Sequence, residues 1–176
     1  MLDVLFKRRS IRKYQDKPIE SGKIKELIKA LLLSPSSRDK KPWEFIVVDD
    51  RELLKKLATS KTGSATFLSG AALGIVIIAD SQKSDVWVED SSIASIILQL
   101  MGESIGLGSC WIQIRERWHD SGQRAGDYIK TLLNIPEPYQ VESIIAMGYP
   151  AENKPPHNES QLPYDKVHFN TFGKDA

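Results

Sequence analysis

The stretch FKRRSIRKYQDKPI (residues 6–19) differs from the rest of the chain in its charge. Six of the eleven residues from Lys7 to Lys17 are basic, whereas the whole sequence of 176 residues carries a formal net charge of only +1. A chain without an overall positive excess lacks the broad basic surface typical of proteins that coat nucleic acid. The positive charge is therefore local, concentrated around Ser10, and its cause must be local as well.

The composition is that of a globular protein with one domain. Hydrophobic residues make up 41% of the chain and charged residues 27%, and 176 residues are enough to bury a single core. The one cysteine, Cys110, excludes an internal disulfide. The opening residues lack the apolar core of a signal peptide, and no apolar run reaches the roughly 18–20 residues of a membrane span. We therefore expect a soluble, cytoplasmic protein.

Apolar residues at helical spacing predict several amphipathic helices. The helix that follows the basic stretch is expected to begin at a Ser21 cap, and the next is expected to open with Asp49 and with Glu52 three positions later. The widest apolar face belongs to the segment 93–105, which therefore belongs at the centre of the fold. The predicted helices cover residues 2–9, 21–33, 51–60, 93–105 and 121–134.

Short β-branched runs between these helices predict four buried strands. They cover residues 43–50, 70–80, 106–114 and 141–150. The alternation of strands and helices favours an α/β or α+β sandwich in which helices cover a sheet. The last residues, 151–176, are rich in proline and polar side chains and contain no long element. Their apolar side chains, among them Phe169 and Phe172, predict that this tail docks on another surface.

Three interpretations of the basic stretch are compatible with its composition. It could be a solvated helix end, because Lys and Arg complement the dipole there. It could be a patch for nucleic acid or a membrane surface, although basic residues do not recur with interleaved aromatics elsewhere. It could also be a socket for a phosphate monoester, since arginine forks bind phosphate. In extended backbone, Arg8, Ser10 and Arg12 would share one side.

Four segments in order along the chain carry a family resemblance. RRSIRKYQDKPI, SPSSRDKKPWEFIVV, GLGSCWIQI and IIAMGYPAE together resemble the nitroreductase-like flavoproteins, and the match extends over most of the sequence. The resemblance implies an α+β sandwich with a central, mostly antiparallel sheet flanked by helices. It also implies a single domain over residues 1–176, assembled as a domain-swapped homodimer in which the tail 151–176 docks on the partner subunit.

The resemblance further implies a site for flavin mononucleotide (FMN) in the dimer interface. One group of residues would hold the phosphate and ribityl side, and a loop would contact the flavin bound mainly by the other subunit. Main-chain N–H groups would face flavin N5 and O4, and basic residues of the tail would return to the phosphate, with Lys154 a weaker candidate than the others. The residues for the phosphate and ribityl side are Arg8, Arg9, Ser10 and Arg12, and those of the loop are Pro35, Ser36, Ser37 and Asp39. The N–H donors are Ile112, Gln113 and Ile114. The basic residues of the tail are Lys166 and His168.

Two positions depart from the family pattern, one among the predicted cofactor residues and one at the predicted substrate pocket. Asp39 stands where the family often has Asn, and an ionised Asp accepts hydrogen bonds without donating them. Lys41 stands where the family often has Gln, and its cation could lie over the pocket or its entrance. Trp118, which has charged neighbours in the sequence, is expected at the pocket rim, whereas Trp43 and Cys110 are expected to pack in the core.

The activity implied by the resemblance is that of an FMN-dependent NAD(P)H oxidoreductase. NADH or NADPH would give hydride to flavin N5, and a nitroaromatic, quinone or similar electrophile would then take it by a ping-pong mechanism. No side chain need act as acid or base, because the cofactor performs the chemistry. No metal site is expected, since the three histidines lie far apart in the sequence.

Several alternatives remain open at this level. The chain could be a non-catalytic FMN-binding or redox-sensing module, or an interaction protein that uses the basic patch and binds no flavin. Other members of the same superfamily dehalogenate substrates reductively, oxidise azolines or dismantle flavin. The sequence contains no motif that distinguishes NADH from NADPH.

Overall fold

Four strands and five α-helices alternate along residues 1–63 and 65–174, the part of the chain described by the computed structural model. The strands are β1 (Trp43–Val48), β2 (Leu73–Asp80), β3 (Gly108–Gln113) and β4 (Tyr139–Gly148). The helices are α1 (Leu2–Lys7), α2 (Ser21–Leu32), α3 (Arg51–Ala58), α4 (Trp87–Ser104) and α5 (Ala125–Leu133). The predicted order of elements is confirmed, with boundaries shifted by a few residues.

The four strands form one sheet in the order β1-β2-β4-β3, and all three pairings are antiparallel. This confirms the predicted α+β class. The register between β2 and β4 shifts after Ile77, so that Glu142 is an extra residue on β4. Such a bulge bends the strand near its start. β3 lies at one edge of the sheet, and this edge carries the candidate site.

Helices cover both faces of the sheet. On one face, α3 and α5 pack with residues such as Leu54 and Ile129 against β2 and β4. On the other face, α2 and α4 contribute residues such as Leu27 and Leu98. Each face buries its own apolar cluster, as expected of a sheet whose central strand β2 is apolar along nearly its whole length. The helix predicted to be central, α4, is the longest of the described helices at 18 residues.

The caps of two helices differ from the sequence prediction. Ser21 is the first residue of α2, and no side-chain cap bond is formed at that end. The residue that caps α3 is Asp50, one position after the predicted Asp49, and its Oδ1 accepts the N–H of Leu53 at 2.7 Å. Asp50 has the extended backbone that directs a cap side chain back over the first turn, and α3 begins at the next residue, Arg51, as predicted.

The tail after β4 has two parts. Residues 151–158 run back along the N-terminal segment, where the N–H of His157 donates to the carbonyl oxygen of Phe6 at 2.8 Å. The following residues form two short 3₁₀ turns and expose large apolar side chains, with Phe172 93% exposed. Residues 175–176 of the predicted tail lie outside the described residues. Within the described ranges, no helix combines the length and the apolar character needed to cross a membrane.

Candidate functional site

The basic N-terminal segment is fastened to the free edge of β3. Ser10 forms an isolated parallel bridge with Ser109, and the N–H of Ile11 donates to the carbonyl oxygen of Ser109 at 2.9 Å. The two backbones approach so closely that a Cβ on Gly108 would lie 2.8 Å from the Cβ of Ile11. Glycine is therefore required there, and the segment is held in the extended conformation that puts alternate side chains on one side.

Several cations converge beside this bridge, around the buried thiol of Cys110. Burial raises the pKa of Cys110, while Arg12, a hydrogen bond from Ser10, Lys154 and Arg8 act in the opposite direction. The ammonium of Lys154 donates to the carbonyl oxygen of Ser10, 144 residues away in the sequence. Three cations and one hydroxyl thus act on one thiol of β3, and this local positive charge is of the kind that binds a phosphate monoester.

The start of the tail holds this cation cluster in place. The carboxylate of Glu152 accepts the backbone N–H of Arg12 at 2.5 Å and that of Lys13 at 3.2 Å, and the first of these bonds is the largest cause of the lowered pKa of Glu152. Arg9 donates to the carbonyl oxygen of Pro155, so its guanidinium is directed to the tail. Sequence reasoning missed Glu152, because nothing local in the sequence marks it as a partner of the N-terminal backbone.

The two tail residues ranked above Lys154 lie elsewhere in this protomer. Lys166 is exposed in the second 3₁₀ turn, and its N–H donates to the carbonyl oxygen of Pro163 at 3.0 Å. The ring of His168 packs 4.5 Å from the ring of Phe172. The basic tail residue that joins the N-terminal cluster within one protomer is therefore Lys154.

The main chain of β3 narrows the predicted N–H donors to one. The N–H of Ile114 donates to the carbonyl oxygen of Glu142 at 3.1 Å, inside the sheet. Backbone direction alternates along an antiparallel strand, so Ile112 also faces β4, whereas Gln113 faces the free edge. Ser109 lies four residues before Gln113, so the backbones of the two residues face the same way. The carbonyl oxygen of Ser109 faces the free edge. Gln113 is the donor that this geometry retains.

The predicted loop 34–42 is anchored to the start of α4. The N–H of Ser37 donates to Oδ1 of Asp90 at 2.8 Å, and Ser84 donates to Oδ2 of the same side chain at 3.3 Å. Asp90 is only 3% exposed. Inside the loop, Ser36 Oγ accepts the N–H of Lys41 at 2.8 Å, while Pro35 is exposed. Sequence reasoning missed Asp90, whose signal was an acidic residue in the first turn of a long helix.

The loop lies far from the cation cluster of its own protomer. Arg8 acts on the pKa of Glu103 in the last turn of α4, whereas Asp90 belongs to the first turn. Thirteen residues separate these two positions, about 20 Å along the helix axis. The unusual residues Asp39 and Lys41 pair with each other at 2.9 Å on the exposed side of the loop. Neither side chain contacts the N-terminal cluster within the described protomer.

Comparisons with known proteins identify the family. The sequence model of the Nitroreductase family matches residues 5–64 and 58–149. The chain belongs to the nitroreductase family. A relative from Archaeoglobus fulgidus, provisionally named an NADH dehydrogenase/NAD(P)H nitroreductase, is 38% identical over 157 residues, which cover 87% of each chain. The predicted family resemblance is confirmed.

Solved structures agree with the fold of this nitroreductase-family chain. An FMN-dependent nitroreductase from Clostridium difficile is 51% identical, with a TM-score of 0.96, and the match covers 98% of this chain and 100% of the other. An NADPH:FMN oxidoreductase from Vibrio harveyi, solved with NAD⁺, shares the fold at a TM-score of 0.80, with 22% identity and coverage of 99% and 79%. The predicted nitroreductase-like architecture is confirmed.

A pocket of about 430 Å³ lies directly beyond the end of β3 in this family member. Its lining includes Trp118, which is 52% exposed and is held by the N–H of Thr62 donating to its carbonyl oxygen at 3.0 Å. Trp118 thus lines this pocket, whereas Lys41 does not, and the predicted role of Trp118 at the substrate pocket stays a prediction. Trp43 is buried as predicted. Among the residues described, no three His, Cys, Asp or Glu side chains group as a metal site.

Proposed function

We propose that the chain is an FMN-dependent NAD(P)H oxidoreductase. The observation that carries this proposal is the group Arg8, Ser10, Arg12 and Lys154, which all act on the thiol of Cys110 in β3 and in which Lys154 donates to the carbonyl oxygen of Ser10. The names of two relatives, an FMN-dependent nitroreductase and an NAD(P)H nitroreductase, support it.

The residues present fit the FMN phosphate in charge. A phosphate monoester carries about two negative charges near neutral pH, and three cations together with a neutral hydroxyl act on the thiol of Cys110, next to Ser109. The carboxylate of Glu152 accepts backbone N–H groups and also pairs with Lys154 at 3.6 Å. From Ser109 the β3 edge runs about 13 Å to Gln113. Phosphate and reducible ring would therefore lie at opposite ends of one strand.

Bound FMN would supply the hydride-transfer chemistry, since it accepts and returns two electrons. The protein would contribute orientation and electrostatics. The outward N–H of Gln113 would donate to the reducible edge of the ring, where negative charge accumulates on reduction. The pocket beside Trp118 would admit the nicotinamide and then a nitroaromatic or quinone acceptor in turn, which gives ping-pong kinetics.

We also propose that the chain is a single domain that assembles as a homodimer. α1 and α4 expose several large apolar side chains, and an apolar groove of about 350 Å³ runs between them. Continuous apolar surface of this kind is typical of a protein interface. The exposed apolar tail would dock on the partner, and the loop with Pro35, Ser36, Ser37 and Asp39 would contact the partner's flavin.

Absorbance spectroscopy of the purified protein tests the cofactor. We expect a flavin spectrum, and chromatography of the ligand released by heat should identify FMN. A colourless protein that does not take up added FMN would refute the proposal. Steady-state oxidation of NADPH and NADH with a quinone acceptor then separates an enzyme from a flavin-binding module, which would turn over slowly with every acceptor. Sedimentation velocity tests the dimer.

A further inference from the structure

The pocket beyond β3 carries more positive charge than the proposed hydride transfer requires. Its lining consists of Lys61, Thr62, Glu116, Arg117 and Trp118. The N–H of Arg117 donates to the carbonyl oxygen of Ile114 at 3.0 Å, so the pocket follows directly on the end of the strand. The pocket therefore adjoins the position proposed for the reducible ring.

The two cations of this pocket lie near each other without a counter-charge. Burial lowers the pKa of Lys61, and the guanidinium of Arg117 lowers it further. Neither cation has a carboxylate within 4.0 Å among residues 1–63 and 65–174.

The nearby acidic side chains are engaged elsewhere. Glu116 pairs with Arg124 at 3.2 Å, and Asp120 accepts the hydroxyl of Thr62 at 2.7 Å. Placing two like charges together costs free energy that an anion between them would recover.

We propose that Lys61 and Arg117 form an anion-binding subsite for the ligand that occupies the pocket. The anion would be the carboxylate of an aromatic electron acceptor or the 2′-phosphate of NADPH. Arginine binds both groups through its planar fork. The exposed ring of Trp118 would stack on the planar part of the ligand, while Arg124 covers the ring at 4.1 Å. This inference rests on the proposed function, of which it specifies the substrate class.

Steady-state kinetics with ligand pairs that differ by one anionic group tests the subsite. Two pairs are compared, 4-nitrobenzoate with 4-nitrobenzamide as acceptors and NADPH, which carries a 2′-phosphate, with NADH as donors. In at least one pair we expect the wild type to show a lower KM for the member with the additional anionic group. Lys61→Met and Arg117→Met should each reduce that preference about tenfold, the effect of losing one charge-assisted contact. Lys61→Arg should restore most of it, and Lys25→Met, an exposed lysine of α2, should leave it unchanged.

The pattern of losses identifies the source of the anion. Loss confined to the nitrobenzoate pair assigns the subsite to the acceptor, and loss confined to the nucleotide pair assigns it to the donor. Unchanged preferences for both pairs in Lys61→Met and Arg117→Met overturn the inference.

Calorimetry with benzoate and benzamide provides a readout that needs no turnover. A protein that binds no FMN would refute the proposed function, while tighter binding of benzoate that is lost in Lys61→Met would still support the subsite. Equal binding of benzoate by wild type and both methionine variants would refute the subsite, whatever the flavin content.

Discussion

Removing the Asp90 carboxylate should destabilise the protein and release the loop 34–42. Asp90 is 3% exposed and accepts two hydrogen bonds, from the N–H of Ser37 at 2.8 Å and from the hydroxyl of Ser84 at 3.3 Å. A hydrogen bond to a charged group contributes about 1.5–3 kcal/mol, and the longer bond lies at the lower end or below it. A carboxylate in the first turn of a helix adds about 0.3–1 kcal/mol. We therefore expect Asp90→Ala to lower the free energy of unfolding by about 3–4 kcal/mol.

Urea denaturation at a fixed protein concentration and without added FMN measures this loss, because ligand and partner binding would otherwise shift the midpoint. In a chain of this length the same loss corresponds to a fall in Tm of about 10 °C. Asp90→Asn keeps one acceptor and should lose about half as much. Glu89→Ala is the matched control, since Glu89 is an exposed carboxylate in the same turn.

Hydrogen exchange at the N–H of Ser37 provides the local readout. We expect Asp90→Ala to accelerate this exchange strongly and Glu89→Ala to leave it slow. If the free energies of unfolding of Asp90→Ala and Glu89→Ala differ by less than about 1 kcal/mol, the buried carboxylate does not hold the loop.

Three further predictions concern the cation cluster, the close approach at β3 and the buried carboxyl group of β4. Lys154→Ala should raise the Kd for FMN about tenfold or more, whereas Lys166→Ala should change it little. Flavin fluorescence titration measures both values. The reverse order would contradict the proposal that the cation cluster of one protomer binds the phosphate. Gly108→Ala should lower the free energy of unfolding by about 1–3 kcal/mol, because the new methyl group collides with the N-terminal segment. Gly22→Ala, with no atom within 4 Å of the new Cβ, should raise the free energy of unfolding by about 0.5–1 kcal/mol in α2. Equal urea midpoints for the two variants would show that the two backbones at Gly108 do not approach closely. Burial raises the pKa of Glu142, so the folded state holds this proton more tightly than the unfolded state, and wild-type stability should fall as pH rises through the ordinary range of a glutamate and above it. Glu142→Gln, which does not titrate, should therefore gain stability relative to wild type between pH 4 and pH 7, and parallel pH profiles would contradict this.

The sequence determined the elements of this protein and the identity of its family. Apolar spacing located the strands and most of the helices, because the periods of 2 and 3.6 residues are local properties of the chain. The spacing from Arg8 to Arg12 was compatible with a phosphate socket among other interpretations, and the family resemblance implied that socket. The residue that caps α3 is Asp50, one position after the predicted Asp49.

Tertiary structure decided which residues form the candidate site. Lys154 reaches Ser10 across 144 residues, and no local signal ranks it above Lys166. Gln113 emerges as the outward donor only after β3 has paired with β4 in a particular register, because a shift of one residue would reverse every N–H along the strand. Lys61 and Arg117 become neighbours only when a turn and a strand end meet in space. Periodicity describes which face of an element is buried, but contacts between distant segments depend on how those faces pack together.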